Sequence, residues 1–301
     1  MTSVIDVTNV SKRFGTVTAV DNVSFRIEEN AITGLLGRNG AGKTTLMQLL
    51  TAQQFTTSGS IRIFGESPVE NAKVLQNLCF IKESQKYPDE FQPKHVFLSA
   101  PRFFPNWDAE FATRLIADFR VPVSRRMKKL SRGQVSAVGV IVGLASRAPI
   151  TFFDEPYLGL DAVARQTFYD RLLEDYSEHP RTVILSTHLI DEVSNLLERV
   201  LVIDEGRIIV DEEAETLRGS ATTVAGTRTA VEAFVANRTV LQRENLGGLA
   251  TATTTALNAV DKAAAAAAGL ELSPVSLQQL IIRMTSGDNT TRQNLEQEQS
   301  A

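Results

Sequence analysis

The residues with the clearest chemistry lie in Gly37-Arg38-Asn39-Gly40-Ala41-Gly42-Lys43-Thr44-Thr45, between the apolar run Ala31 to Leu36 and a periodic segment carrying Leu46, Leu49 and Leu50. Strand, glycine loop and helix, in that order, cradle nucleotide phosphates. The glycines let backbone N–H groups converge on phosphate oxygens, and the following helix adds its positive end. Lys43 can then reach the β and γ phosphates, and the Thr44 hydroxyl can hold Mg²⁺. An ordinary glycine turn would need none of this, so the loop predicts ATP or GTP as ligand.

A second apolar run, Pro149 to Phe153, ends in two acids, Asp154 and Glu155. A carboxylate at a strand end beside a phosphate loop can organise Mg²⁺ and its water, and a second can take the proton of the attacking water. Asp154 is therefore the expected metal residue and Glu155 the expected general base. Taken alone, an acidic pair after a strand is an exposed turn; the glycine loop upstream changes its meaning. Leu130-Ser131-Arg132-Gly133-Gln134 opens a further helical pattern. Gly133 permits close approach, while Ser131 and the helix N–H groups can meet a phosphate. In isolation that pentapeptide is a serine cap on a buried helix. In a chain that already has a phosphate loop, it predicts ATP sandwiched between two copies.

The elements that must position these groups can be traced along the chain. Val4 to Val10, Val23 to Ile27, Ile61 to Phe64 and Asn77 to Ile81 have the pattern of strands. Pro93 to Phe103, Asp108 to Phe119 and Arg132 to Ala145 have that of helices, with Pro101, Pro105 and Pro122 as bends or breaks. Strands and helices then alternate: Ile150 to Phe153, Ala162 to Tyr176, Thr182 to Leu185, Ile190 to Leu197, Val200 to Ile203 and Arg207 to Val210. This order predicts an α/β nucleotide-binding core interrupted by a helical insertion at about 88–147. After Gly219 the composition turns to Thr, Ala and Val, with helices expected at Thr229 to Val235, Ala263 to Ala268 and Val275 to Met284. The expected division is 1–219, a small domain at 220–285, and a polar tail at 286–301 that need not fold.

Composition narrows the partners. Lys and Arg total 31 against 35 Asp and Glu, a net charge of -4, which gives no general support for a nucleic-acid groove, and none is expected as partner. Arg125, Arg126, Lys128 and Lys129 form the densest basic run, either a solvated helix entry or a contact for a phosphate or a partner. The first residues lack the apolar block of a signal peptide, and Val135 to Ala145 is far short of a bilayer span. The single cysteine, Cys79, makes neither a disulfide framework nor a zinc site. The chain is expected inside the cell, with membrane contact only through a partner or its surface.

The phosphate loop, LSRGQ at Leu130 to Gln134, FFDEP at Phe152 to Pro156, GLD at Gly159 to Asp161 and STH at Ser186 to His188 together resemble the ATP-binding subunit of ABC transporters. The resemblance covers roughly residues 1–219. It implies a P-loop NTPase core of ABC type with an antiparallel β subdomain and a helical insertion. It also implies two such domains facing head to tail, each ATP lying between one phosphate loop and the other copy's signature segment. Carried over by position, Phe14 would stack on adenine, the loop from Gly37 through Asn39, Gly40, Ala41, Gly42, Lys43 and Thr44 to Thr45 would hold the phosphates, and Thr44 with Asp154 would serve Mg²⁺. Glu155 would activate water, and His188 would contact the γ-phosphate and that water. Ser131, Gly133 and Gln134 would reach the ATP held by the other copy, and Asp161 would connect the two sites.

Two departures stand out. Arg132 occupies a signature position where the family commonly has glycine. Where the family has its metal- and water-contacting glutamine, the chain reads Cys79-Phe80-Ile81-Lys82-Glu83-Ser84-Gln85. Glu83 fits the local pattern better and can coordinate Mg²⁺ directly; Gln85 preserves the amide.

The resemblance implies an ATPase motor, a second nucleotide-binding subunit and a separately encoded membrane permease, with the chain held at the inner face of the plasma membrane. Tyr87, Phe91, Phe103, Phe104 and Trp107 place large apolar groups in the insertion, for its core or for a permease helix. The region Thr222 to Thr285 resembles the extension of some bacterial exporter subunits, making a small α+β domain and export the expectation. The alternative is a soluble ABC-type ATPase acting on a ribosome, nucleic acid or protein complex.

Overall fold

The computed structural model describes residues 3–83 and 85–285; the polar tail at 286–301 lies outside them. The described residues form two compact units, one running to His188 with Leu196–Asp211, the other comprising Leu189–Asn195 and the residues from Glu212 onward. The second unit thus takes in a short segment after His188 that composition had placed with the first.

The first unit opens with β1 (Ser3–Phe14), β2 (Val17–Glu28), β3 (Ile32–Leu36), α1 (Lys43–Leu50) and β4 (Ser58–Ile63). β2, β1 and β4 make an antiparallel sheet. Buried Val23, Phe25 and Ile27 fall on one face of β2, where the alternation of the sequence puts them, and Val20 is buried beyond a register shift in the pairing with β1. Next come α2 (Ala72–Leu75), β5 (Leu78–Lys82), α3 (Pro93–Ser99), α4 (Ala109–Asp118), α5 (Arg132–Ala145), β6 (Ile150–Asp154), α6 (Ala162–Glu178) and β7 (Thr182–Thr187). After α7 (Ile190–Val193), which belongs to the second unit, β8 (Arg199–Asp204) and β9 (Arg207–Glu213) complete a six-stranded sheet, β5-β6-β7-β3-β8-β9.

Every residue of β3, β6 and β7 is buried, as expected of parallel strands covered on both faces. Their register pairs Asp154 with Ser186 and Leu36 with Thr187. The glycine loop, the acidic pair and His188 therefore leave the same carboxyl edge of the sheet, where open α/β folds bind ligands.

The helices between β5 and β6 match the expected insertion, with one difference. The Pro93 to Phe103 helix stops at Ser99 and continues as a 3₁₀ turn over Ala100–Arg102, because Pro101 offers no N–H to extend the α-helical ladder. Asp108 caps α4, accepting from the Phe111 N–H at 2.8 Å, and Arg147 pairs with both Asp108 and Asp175 at 2.8 Å. Arg126 and Lys128 of the basic run pair with Glu90. Cys79 is buried in β5, and burial pushes its thiol up to about 12.

The second unit adds α8 (Ala214–Gly219), β10 (Ala221–Thr227), α9 (Arg228–Val235), β11 (Val240–Leu246), β12 (Leu249–Thr255), α10 (Ala259–Ala267), β13 (Glu271–Pro274) and α11 (Leu277–Thr285). Its antiparallel sheet, β11-β12-β10-β13, packs Val224, Ala250 and Ala252 against Val231, Phe234 and Val235 of α9. No helix among the described residues is long and apolar enough to cross a membrane.

Candidate nucleotide site

At the end of β3 the chain turns through the glycine loop into α1. Gly42 holds φ at +112°, and a Cβ there would lie 2.5 Å from the Ala19 carbonyl oxygen, so only glycine fits without displacement. The ammonium of Lys43 donates to the carbonyls of Gly37 at 2.8 Å and Arg38 at 3.2 Å, and lies 3.5 Å from Glu155 Oε1. Although cationic, the side chain is only 5% exposed. Its charge is compensated by two carbonyls and a carboxylate.

Asp154 ends β6 and is buried, its Oδ1 accepting from the Ser186 hydroxyl at 2.6 Å. Glu155 follows with φ at +49°, an uncommon conformation for a residue with a side chain and a marker of strain at functional positions. Its N–H is held by Ser186, at 3.3 Å to the carbonyl and 3.2 Å to the hydroxyl. His188 Nδ1 lies 2.6 Å from Glu155 Oε2. An ionised carboxylate only accepts, so Nδ1 carries the proton of this contact and Nε2 is the ring nitrogen left for a ligand.

One residue here carried no expectation. Tyr157 is buried, and its hydroxyl lies 2.6 Å from Glu155 Oε2 and 2.7 Å from Thr187 Oγ1, while the His188 N–H donates to it at 3.2 Å. Burial, then the Glu155 contact, push its phenol well above the usual range, so it stays protonated. The available signal was chemical: a tyrosine in an otherwise buried segment needs a partner for its hydroxyl.

A cavity of roughly 560 Å³ gathers Asn39, Gly40, Gly42, Lys43, Thr44 and Thr45 with Glu83, Glu155 and His188. Gln85 lines a different, more apolar cavity of roughly 760 Å³, with Phe80, Tyr87, Phe91, Phe103 and Phe104. The signature residues stand apart from the first cavity. Ser131 and Gln134 form a reciprocal cap on α5, at 3.2 and 3.1 Å, and a Cβ on Gly133 would lie 2.4 Å from the Gly159 carbonyl oxygen. Asp161 caps α6 by accepting from the Ala164 N–H at 2.8 Å. Phe14, at the end of β1, is 46% exposed with the Lys12 ammonium 4.7 Å from its ring centre. Glu83 pairs with Arg132 at 2.8 Å.

A hard divalent cation that travels with a triphosphate needs few protein oxygens. The Thr44 hydroxyl and Glu83 carboxylate line the cavity, and Asp154 ends the strand beside it. Among the described residues no group of three or more His, Cys, Asp or Glu is arranged to hold a metal unaided. The donor set suits Mg²⁺ shared with phosphates and water.

These elements define a P-loop ATPase of the ATP-binding-cassette class. A family model described as ABC transporter matches residues 20–158, and one described as AAA domain, putative AbiEii toxin, Type IV TA system matches residues 124–194. ABC transporter ATP-binding protein YtrB of Bacillus subtilis is 26% identical over 71% of this chain and 73% of its own length. Nod factor export ATP-binding protein I of Burkholderia lata is 30% identical over 67% of this chain and 68% of its own. Osmoprotectant import ATP-binding protein OsmV of Salmonella typhimurium is 30% identical over 66% and 54%. Among solved structures, the dimeric post-hydrolysis state of the ATP-binding cassette MJ0796 bound to ADP and Pi superposes with a TM-score of 0.61 at 20% identity, over 70% of this chain and 98% of that one. The chain belongs to the family of ABC transporter ATP-binding proteins, and it is an ATPase that binds adenine nucleotide.

Proposed function

We propose that this ATPase is the motor subunit of a membrane transporter, working as a pair of copies beneath a separately encoded integral membrane permease at the inner face of the plasma membrane. The observation that carries the mechanism is the single cavity joining the glycine loop to Glu155 and His188. Lys43 leaves the loop carbonyls for the β and γ phosphates. Thr44, Asp154 and Glu83 would hold Mg²⁺, which would supply positive charge against the transferred phosphoryl group. Glu155 takes a proton from the attacking water, and His188, through Nε2, fixes that water against the γ-phosphate. Ser131, Gly133 and Gln134 serve the nucleotide of the opposite copy, Asp161 links the two sites, and Phe14 stacks on adenine. Support for Glu83 over Gln85 as metal ligand comes from their separate cavities. The apolar cavity lined by Tyr87, Phe91 and Phe103 suits a permease helix. Export is the direction we assign, on the resemblance of the region Thr222 to Thr285 to the extension of some bacterial exporter subunits.

Glu155→Gln tests the mechanism. ATP should still bind, with turnover lower by about 10²-fold or more, the scale of a lost general base; unchanged turnover would remove Glu155 from its role. Purifying that variant from its native membrane with ATP tests the partner: a stoichiometric multispanning protein is expected, and a ribosomal or soluble complex in its place would overturn the transporter assignment.

A further inference from the structure

We propose that Tyr157 is a positioning residue for hydrolysis, holding the Glu155 carboxylate so that one oxygen is fixed and the other is presented to the nucleotide cavity. Glu155 Oε2 is engaged by the Tyr157 hydroxyl and by His188 Nδ1, each at 2.6 Å, whereas Oε1 faces Lys43 at 3.5 Å. A phenol has one proton to donate and two lone pairs to accept with. Because the carboxylate cannot donate, the proton goes to Oε2. The lone pairs receive the His188 N–H at 3.2 Å and the Thr187 hydroxyl at 2.7 Å.

Every bonding position of the hydroxyl is thereby used, and three of its links run to the ends of two adjacent strands, β6 and β7. The same atom steadies the acid that takes the proton and the backbone that carries the histidine. The strained turn at Glu155, with φ at +49°, makes such a tether necessary. A carboxylate on a left-handed residue directly after a strand would otherwise sample rotamers that point neither oxygen at the attacking water.

This inference rests on Glu155 as general base, and the test separates the two. Tyr157→Phe keeps the ring and removes the hydroxyl. In the full chain with Mg-ATP, kcat should fall about tenfold, the scale of one lost hydrogen bond to a charged group, while KM and ATP affinity stay within about twofold. In the Glu155→Gln background the same change should lower residual turnover by less than about twofold, because its effect runs through the missing carboxylate. Loss of turnover in Glu155→Gln with an unaltered Tyr157→Phe would overturn the present inference alone. An equal loss from Tyr157→Phe with and without Glu155 would also overturn it, marking the tyrosine as packing. Unchanged turnover in Glu155→Gln would overturn the general-base assignment itself. If Tyr157→Phe lowers the unfolding midpoint sharply, Thr187→Val replaces it. Freeing one lone pair of the phenol should lower kcat about threefold at constant KM, a partial loss of the same hydrogen-bond network, and an unchanged kcat overturns the inference.

Discussion

The guanidinium of Arg132 donates to the carboxylate of Glu83 across 2.8 Å, joining the first turn of α5 to the segment that follows β5. Arg132 is one departure from the ABC motifs, and with Glu83 assigned to the glutamine position, as we propose, the second departure meets it. Arg132 is 67% exposed and Glu83 43%. Solvent therefore screens the pair, and its worth to the fold is below about 1 kcal/mol. Its importance lies in the metal role we propose for Glu83.

Glu83→Gln removes a formal charge from the cavity. The Mg²⁺ concentration that half-saturates ATP hydrolysis should rise several-fold, since a neutral amide is a weaker ligand for a hard cation than a carboxylate. Arg132→Gly, which frees Glu83, should move the same midpoint the other way, with little change in thermal unfolding. A Mg²⁺ titration unaffected by either change would take Glu83 out of the metal site.

Lys43→Ala removes the buried ammonium that faces the loop carbonyls and Glu155. Affinity for a fluorescent ATP analogue should weaken by about tenfold or more, in line with a lost charge-assisted contact. Equal affinity and equal turnover would exclude the cavity as the nucleotide site.

Ser131 has one task in the structure and a second that we propose, and experiment can separate them. As the cap of α5 its hydroxyl holds the Gln134 N–H at 3.2 Å, and Ser131→Ala should cost about 1 kcal/mol of stability. As a phosphate contact for the opposite copy it should support ATP-driven pairing. Sedimentation of Glu155→Gln with ATP should show pairs that the added Ser131→Ala weakens, while ATP binding to single chains persists. Undiminished pairing would leave the capping task alone.

The sequence legibility of this chain was uneven for physical reasons. Lys43, Glu155 and His188 are each announced by neighbours of fixed type and spacing. The limits of α5, Arg132 to Ala145, coincide with the expected helix because a capping serine and a long apolar run mark it. The strands of the second unit were not placed individually. β10 and β12 are made of Thr, Ala and Gly with few branched apolar residues, and alanine favours helix, so their identity comes from pairing with each other. Tyr157 was passed over because a hydroxyl's role is set by the groups that face it, here contributed by Thr187 and His188 thirty or more positions away.

Acid should loosen α4. The Phe111 N–H, then Arg147, hold the Asp108 carboxyl below its usual range. A lowered folded-state value means a stabilisation present above the unfolded carboxylate range and lost as pH falls through the folded one. Asp108→Ala should therefore cost about 1 kcal/mol at neutral pH, the scale of a lost cap, and the gap to the unaltered protein should narrow below about pH 4, near the ordinary carboxylate value. Unfolding midpoints measured across that range check the sign, and a gap that widens in acid would refute it.

Cys79 is the chain's single sulfhydryl, walled inside β5 and protonated until about pH 12. Thiol reagents act on the thiolate, so near neutral pH the native protein is silent toward maleimides and spin labels. A cysteine installed at Val163, 76% exposed on α6, would be the one reactive handle in the molecule, and distances between paired copies could be read through the ATP cycle with the proposed site residues unaltered.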